Sequence, residues 1–429
     1  MPPFARLRRW VLILLWLALS ACVSAPAAAP IKPTVPAVPS PSVTALPPAA
    51  TATTAPSPTA QRIRPSATPL PTSSAIYLDA LVWKDELVAP VILYHRFLPV
   101  GEENKPSPTK MHLDEFQSHL EALYEAGFSL IPIEKWLAGD ISLPPGRRPL
   151  IFSMDDLFFA DQIFLEADGT PSKRSGLGVL WHFSQQHPDF GFSAALFYNL
   201  GDKYYANLKT PAWFLVADGW QDALASVIVW CIEHDAMPYN HTYLHSDLSQ
   251  LDALAITDEL RRNDRELRNF LKRAGREDLI PRLENYIALP FGIWPASEGL
   301  KRFMFNYKDP ENKPVNAVFE AGYFYEERFF PAPFVEGHDP LRIPRITTNT
   351  RRSIEFLSTH RSLFPQTETC RLGPLDPSQA NDPAVITRLI QAALFSGACH
   401  EGYYRVNDYF FEVKNGEKKL IWTVQKKPK

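Results

Sequence analysis

The chain has 429 residues, with 44 Lys and Arg against 47 Asp and Glu and a formal net charge of -3. That balance offers no global basic field to attract nucleic acid, and no excess acidity of the kind that keeps a chain unfolded. The length suits two or three average domains or one α/β barrel with flanking segments, and 10 Trp, 15 Tyr and 27 Phe suit core packing or stacking on sugar rings.

Residues 1–22 read as a signal peptide. Arg6, Arg8 and Arg9 precede an apolar run that opens at Trp10 and is too short to span a membrane comfortably, which takes ~20 residues. Leu19-Ser-Ala-Cys22 resembles a bacterial lipobox, in which cleavage before the cysteine leaves a lipid on Cys22. The protein is therefore expected outside the cytoplasm, held to the membrane through that lipid and facing the cell wall or periplasm. Residues 23–76 hold no aromatic side chain and 13 of the 41 prolines, and no acidic residue occurs before Asp79. Such a segment buries too little apolar area to offset ordering and is expected to be a disordered tether.

Folded sequence is expected from Tyr77 to about Arg352. A strand at 90–94 leads into His95, and Phe116, Leu120, Leu123 and Tyr124 share one side of a helix closed by Gly127. An apolar strand at 149–154 delivers Asp155 and Asp156 at its C-terminal edge, and residues 168–176 read as a surface loop. A strand at 193–198, a helix at 222–233, a helix opened by Thr257 and a strand at 286–291 follow. The alternation predicts a mostly parallel sheet or barrel with its chemistry at the strand C-termini. Beyond residue 353 it fades into a small C-terminal extension. There Asn415-Gly416 signals a hairpin, and Cys370 and Cys399 are candidates for a disulfide with Cys231 buried and free, although spacing alone leaves connectivity open.

His241 and His245 are the strongest chemical signal. One turn of helix brings residues i and i+4 to the same side, and two neutral imidazoles can share one cation of the first transition row. A catalytic site of that kind usually has three protein ligands, and the Asp155-Asp156 pair is the best source of the third.

With these motifs in view, the region from Val91 to Ile346 resembles the polysaccharide deacetylase family, the NodB-homology group of carbohydrate esterases. Tyr94-His-Arg96, Ser153-Met-Asp-Asp-Leu157, Asn240-His-Thr-Tyr-Leu-His245, Leu289-Pro-Phe-Gly292 and Ile343-Pro-Arg345 are similar to that family's successive motifs. The resemblance implies a distorted (β/α) barrel. It implies Asp155 as general base, Asp156, His241 and His245 as ligands of a divalent metal, with Zn2+ the first choice, and the amide of Phe291 as an oxyanion donor. The chain departs from the pattern at Leu157 and Met154. Ala288 stands where many members carry the arginine that braces the base, and no late Leu-x-His supplies the usual acid. His338 lies near that missing position and is the first candidate for the acid. His95 is the second and a candidate for substrate binding. The implied activity is metal-dependent removal of acetyl groups from an N-acetylated wall or extracellular polysaccharide. The alternative is a catalytically silent lipoprotein of the same fold that only binds glycans.

Overall fold

The computed structural model describes residues 74–98, 109–156, 161–201, 219–321, 329–348 and 351–424. The chain divides into two units, Met1–Pro69 and Leu70–Lys429. The first, with the signal peptide, Cys22 and most of the tether, lies outside the described residues, and every described element belongs to the second.

Seven parallel strands build the sheet that carries the site: β1 (Val91–Tyr94), β2 (Arg148–Asp155), β3 (Ala194–Tyr198), β4 (Ala236–Asn240), β5 (Tyr286–Ala288), β6 (Ala317–Phe319) and β7 (Ile346–Thr347). Their order is β6-β5-β4-β3-β2-β1-β7, and Phe128–Leu130 pairs alongside the start of β2. All residues of β1, β3 and β4 and seven of the eight in β2 are buried, as expected of strands covered on both faces. The segment ending in β7 closes the ring. Ile343 bridges Phe319 on β6, and three residues later Ile346 pairs with Ile92 on β1. One short stretch therefore touches both edges of the open sheet, which makes the architecture the distorted (β/α) barrel expected.

Helices fill the connections. In α1 (Leu113–Glu125) Phe116, Leu120 and Leu123 face the core, and Gly127 follows at φ +85, a conformation a side chain resists. The helices α2 (Gly176–Gln186), α3 (Trp220–Glu233) and α4 (Ala253–Arg273) follow. Two boundaries differ from expectation. The helix α4 opens at Ala253, because Asp252 caps it by accepting from Ala255 N at 2.8 Å, while Thr257 bonds back to Ala253 O inside the first turns. The strand expected at 286–291 stops at Ala288, since Pro290 offers no N–H and Phe291 turns to φ 55.

The C-terminal extension is not self-contained. Its antiparallel sheet runs Glu368–Leu375, Ile76–Trp83, Gly402–Val406, Tyr409–Lys414, Glu417–Thr423, so its second strand comes from the start of the folded region. Ala80, Val82, Leu372, Tyr404 and Phe411 pack with Ile386 and Ile390 of α5 (Pro383–Phe395). The expected hairpin turns on Asn415 and Gly416, both at positive φ. Cys370 and Cys399 form a disulfide with Cα atoms 5.8 Å apart, and Cys231 is free and buried. The sheet docks on the barrel through Trp422, whose indole donates to Ala138 O at 3.1 Å and covers Gly139, where a Cβ would come within 2.3 Å of the ring.

Candidate metal centre at the strand C-termini

The ends of adjacent strands collect the candidate residues. Tyr94 pairs with Met154, so the next residues along β1 and β2 set His95 beside Asp155. The Gln162 amide donates to the carbonyls of both, at 3.1 and 2.6 Å, and pins the two chain ends together. Tyr198 pairs with Asn240, so Asn199 and His241 follow on β3 and β4.

Asp156, His241 and His245 each offer one ligand atom, and these atoms lie within 4.8 Å of one another. Asp156 Oδ1 is 3.7 Å from His241 Nε2 and 3.5 Å from His245 Nε2. Ligands ~2.0 to 2.1 Å from one tetrahedral ion would stand ~3.4 Å apart, so carboxylate and imidazoles are already near ligating separation. The donor set of two imidazole nitrogens and one carboxylate oxygen suits zinc and its neighbours. The outer contacts fit as well. His241 Nδ1 meets Ala288 O at 3.0 Å, which leaves Nε2 to face the acids, and Asn199 Nδ2 donates to Asp156 Oδ1 at 3.0 Å.

The two histidines do not share a helix turn, as their spacing had suggested. They lie on a loop after β4, and Thr242 and His245 adopt φ 62 and 55. Competing partners hold the loop out of helical form. Asn240 Oδ1 accepts from Thr242 N at 2.8 Å, Gly201 N donates to Tyr243 O at 2.7 Å, and Glu259 accepts from Leu244 N at 2.8 Å. The buried face of α4 completes the brace: Asn263 donates to Tyr198 O and Asn240 Oδ1, and Asp264 accepts from Asn240 and from Tyr307. Asp156 (φ 64) and Phe291 (φ 55) join Thr242 and His245, so among the described residues four of the eight non-glycine residues at positive φ sit at this site. Such conformations persist where the surroundings impose them, and they gather at functional sites.

Asp155 holds a different position. Arg345 grips both of its oxygens, Nη1 to Oδ1 at 2.5 Å and Nη2 to Oδ2 at 2.7 Å, and both side chains are buried. The guanidinium that meets Asp155 thus comes from the segment that closes the barrel and not from position 288. Burial pushes the Asp155 carboxyl up, but Arg345, His241 and His95 together outweigh burial and leave it at about 2. Burial lowers His95 to about 4, against the pull of Asp155. It lowers His245 to about 3, with His241 adding to the effect, and it lowers His241 as well. All three imidazoles are therefore neutral at pH 7, the form that binds metal.

Phe291 is 58% exposed, its ring edge-on to His245 with centroids 4.4 Å apart, and among the described residues no backbone carbonyl accepts its amide hydrogen. His338 is placed elsewhere. Its Nδ1 meets Pro331 O at 2.8 Å, its ring stacks on Phe330, and the charge acting on it is that of Asp339. His95, not His338, is the further histidine brought to Asp155. Sequence reading passed over Arg345 as a role, although it stands in the quoted Ile343-Pro-Arg345. It also passed over Asn199, Gln162, Asn263 and Asp264, which carry no motif signal.

Fold and site together define an α/β barrel with a two-histidine, one-carboxylate cluster beside an arginine-braced aspartate. No family model matches the chain, and no curated protein matches it. Among solved structures it is similar to the Streptococcus pyogenes deacetylase PplD in complex with acetate, at 16% identity and TM-score 0.41, over 64% of this chain and 98% of that one. It is also similar to the polysaccharide deacetylase BC0361 from Bacillus cereus, at 15% identity and TM-score 0.41, over 64% and 69%. IcaB from Ammonifex degensii aligns at 17% identity and TM-score 0.37, over 64% and 97%.

Proposed function

We propose that this protein is a metal-dependent hydrolase that removes acetyl groups from an N-acetylated polysaccharide of the cell wall or extracellular matrix. The observation that carries this reading is the convergence of Asp156, His241 and His245 beside the buried Asp155–Arg345 pair. A divalent cation, zinc by choice of ligands, would be held by those three side chains and would supply a Lewis acid that polarises the acetyl carbonyl and lowers the pKa of a water from about 15.7 towards ~7.

The residues divide the remaining work. Asp155, anionic at any pH above about 2, is the acceptor of the water proton. His95 stands next along the strand ends and is neutral at rest with a pKa of about 4. The proton leaves the water for Asp155 and a proton reaches the leaving amine as the carbon–nitrogen bond breaks, with His95, beside Asp155 at the strand ends, the donor in this reading. Water and amide thereby become acetate and free amine. The Phe291 N–H donates to the oxygen that gains charge, a contribution of ~3 to 4 kcal/mol for a well-placed donor. Arg345 keeps Asp155 ionised and aimed. The silent, glycan-binding alternative drew on a missing brace for the base and a missing acid histidine; the Arg345 pair with Asp155 and the position of His95 favour the active reading. Export and attachment through a lipid on Cys22 complete the proposal and bring the site to a polymer outside the cell.

Acetate release from N-acetylglucosamine oligomers and from peptidoglycan, by wild type and Asp155→Asn with metal content measured on both, tests the reading. The expected outcome is acetate from wild type, at least about a hundredfold less from the variant, and equal metal in both. Metal-loaded wild type that frees no acetate from any acetylated glycan would contradict it.

A further inference from the structure

Away from the metal cluster, α4 carries a second site. Arg261, Arg265, Arg268, Asn269 and Lys272 recur at i, i+4, i+7, i+8 and i+11, which places them in one stripe about 16 Å long. They line a cavity of about 380 Å³ whose opposite wall is Tyr307, Lys308 and Asp309 to Glu311. The acids of that wall are already engaged: Asp309, at 2.9 Å, and Glu311 both pair with the buried Arg268 on the floor. Arg261 shares Asp258, at 2.8 Å, on the rim. Arg265, Lys272 and Lys308 are exposed and enter no ion pair among the described residues.

A solvated helix face normally intersperses its charges or lets them splay apart. Here cations from two elements converge across a concavity, in a chain whose net charge is -3. With five cations against two acids in its lining the concavity is net positive, and a charged concavity raises the local concentration of the opposite charge. Two arginines offer planar forks that grip tetrahedral oxyanions, and two lysines add compact charges. We propose that this groove binds a linear, phosphate-bearing polymer laid along α4. A lone phosphate would meet only part of a stripe this long. The site requires neither the metal nor hydrolysis. The face of the same helix opposite the stripe carries Glu259, which accepts from Leu244 N in the metal loop, so the groove and the metal centre are separate sites on α4.

Calorimetry on the full chain tests the site, with long-chain polyphosphate as probe and inorganic phosphate and polygalacturonate as comparison arms. Polyphosphate should bind, and raising salt from 50 to 200 mM should weaken it about ten- to twentyfold, as three contacts to a single-stranded polyanion would. Arg265→Glu with Lys308→Glu should weaken it at least about tenfold at an unchanged thermal midpoint, and Lys272→Glu alone should weaken it less. His245→Ala should bind as wild type does, so that failure of the groove and failure of the metal centre are read separately. Equal binding by the reversed variants, or loss in His245→Ala, would place the ligand elsewhere and overturn the proposal. Inorganic phosphate binding as tightly as the polymer would overturn its linear character, and polygalacturonate binding as tightly would overturn its phosphate character.

Discussion

Arg345 and Asp155 meet across 190 residues of sequence, and both are buried, so little solvent softens the charge. A buried pair of this kind adds little over an apolar pair, yet removing one partner strands the other and costs about 3–5 kcal/mol. Arg345→Ala should therefore lower unfolding stability by that amount and let burial push the Asp155 carboxyl upward. Arg345→Lys should recover part of the stability and little of the activity, because one ammonium cannot hold both oxygens. Urea unfolding and acetate release on the two variants check this. An Arg345→Ala protein as stable and as active as wild type would remove the brace from the account. The acids and histidines at this site were legible in the sequence because their spacing is local. The brace was not, because its contact exists only once the barrel has closed.

At the scale of elements, the alternation of apolar strands with amphipathic helices made the positions of β1, β2, β3 and the start of β5 legible in the sequence, and the turn residues marked the last hairpin, while the short β4 was not read as a strand. What escaped was decided by competition between partners. The histidine spacing suggests a helix, but Asn240, Gly201 and Glu259 take the backbone groups that a helix would use. The buried polar face of α4 is hidden in an otherwise ordinary amphipathic pattern. The strand Ile76–Trp83 pairs with Glu368–Leu375, and no local signal announces a partner so far along the chain. The disulfide ties this small sheet to the end of α5 across 29 residues. Closing a loop of that length stabilises by about 3–4 kcal/mol in the chain-entropy description. Cys370→Ser with Cys399→Ser should lose about that much under denaturant while metal binding persists. An unchanged denaturation midpoint, or loss of metal with the bond, would contradict the separation of sheet from site.

Across the whole molecule, the buried histidines make stability depend on pH. Burial lowers His95 and His119 to about 4, and His245 to about 3. As pH falls below the ordinary value of about 6.5, the unfolded chain takes up protons that the folded one refuses, so stability is lost between about 6.5 and 4. Asp155 acts lower down: its stabilisation is complete above about 3.8 and is lost as pH falls towards 2. Asp264, which burial raises to about 6, works the other way, since neutralising it below that pH relieves a buried charge. Five histidines lowered by burial, with His241 and His338 beside these three, outweigh two carboxyls raised by it, Asp264 and Glu134, so the urea midpoint of metal-free protein should fall from pH 7 to pH 5. A midpoint that holds or rises over that interval would mean that these imidazoles are hydrated.

Three side chains from two strand ends are placed to hold a single ion. Titration of zinc into chelator-treated protein by calorimetry tests it most directly, with His245→Ala and Asp156→Asn alongside. One ion should bind per wild-type chain, and binding should weaken at least about a hundredfold in both variants. Wild-type protein that takes up no zinc, or variants that bind it as tightly as wild type, would contradict it.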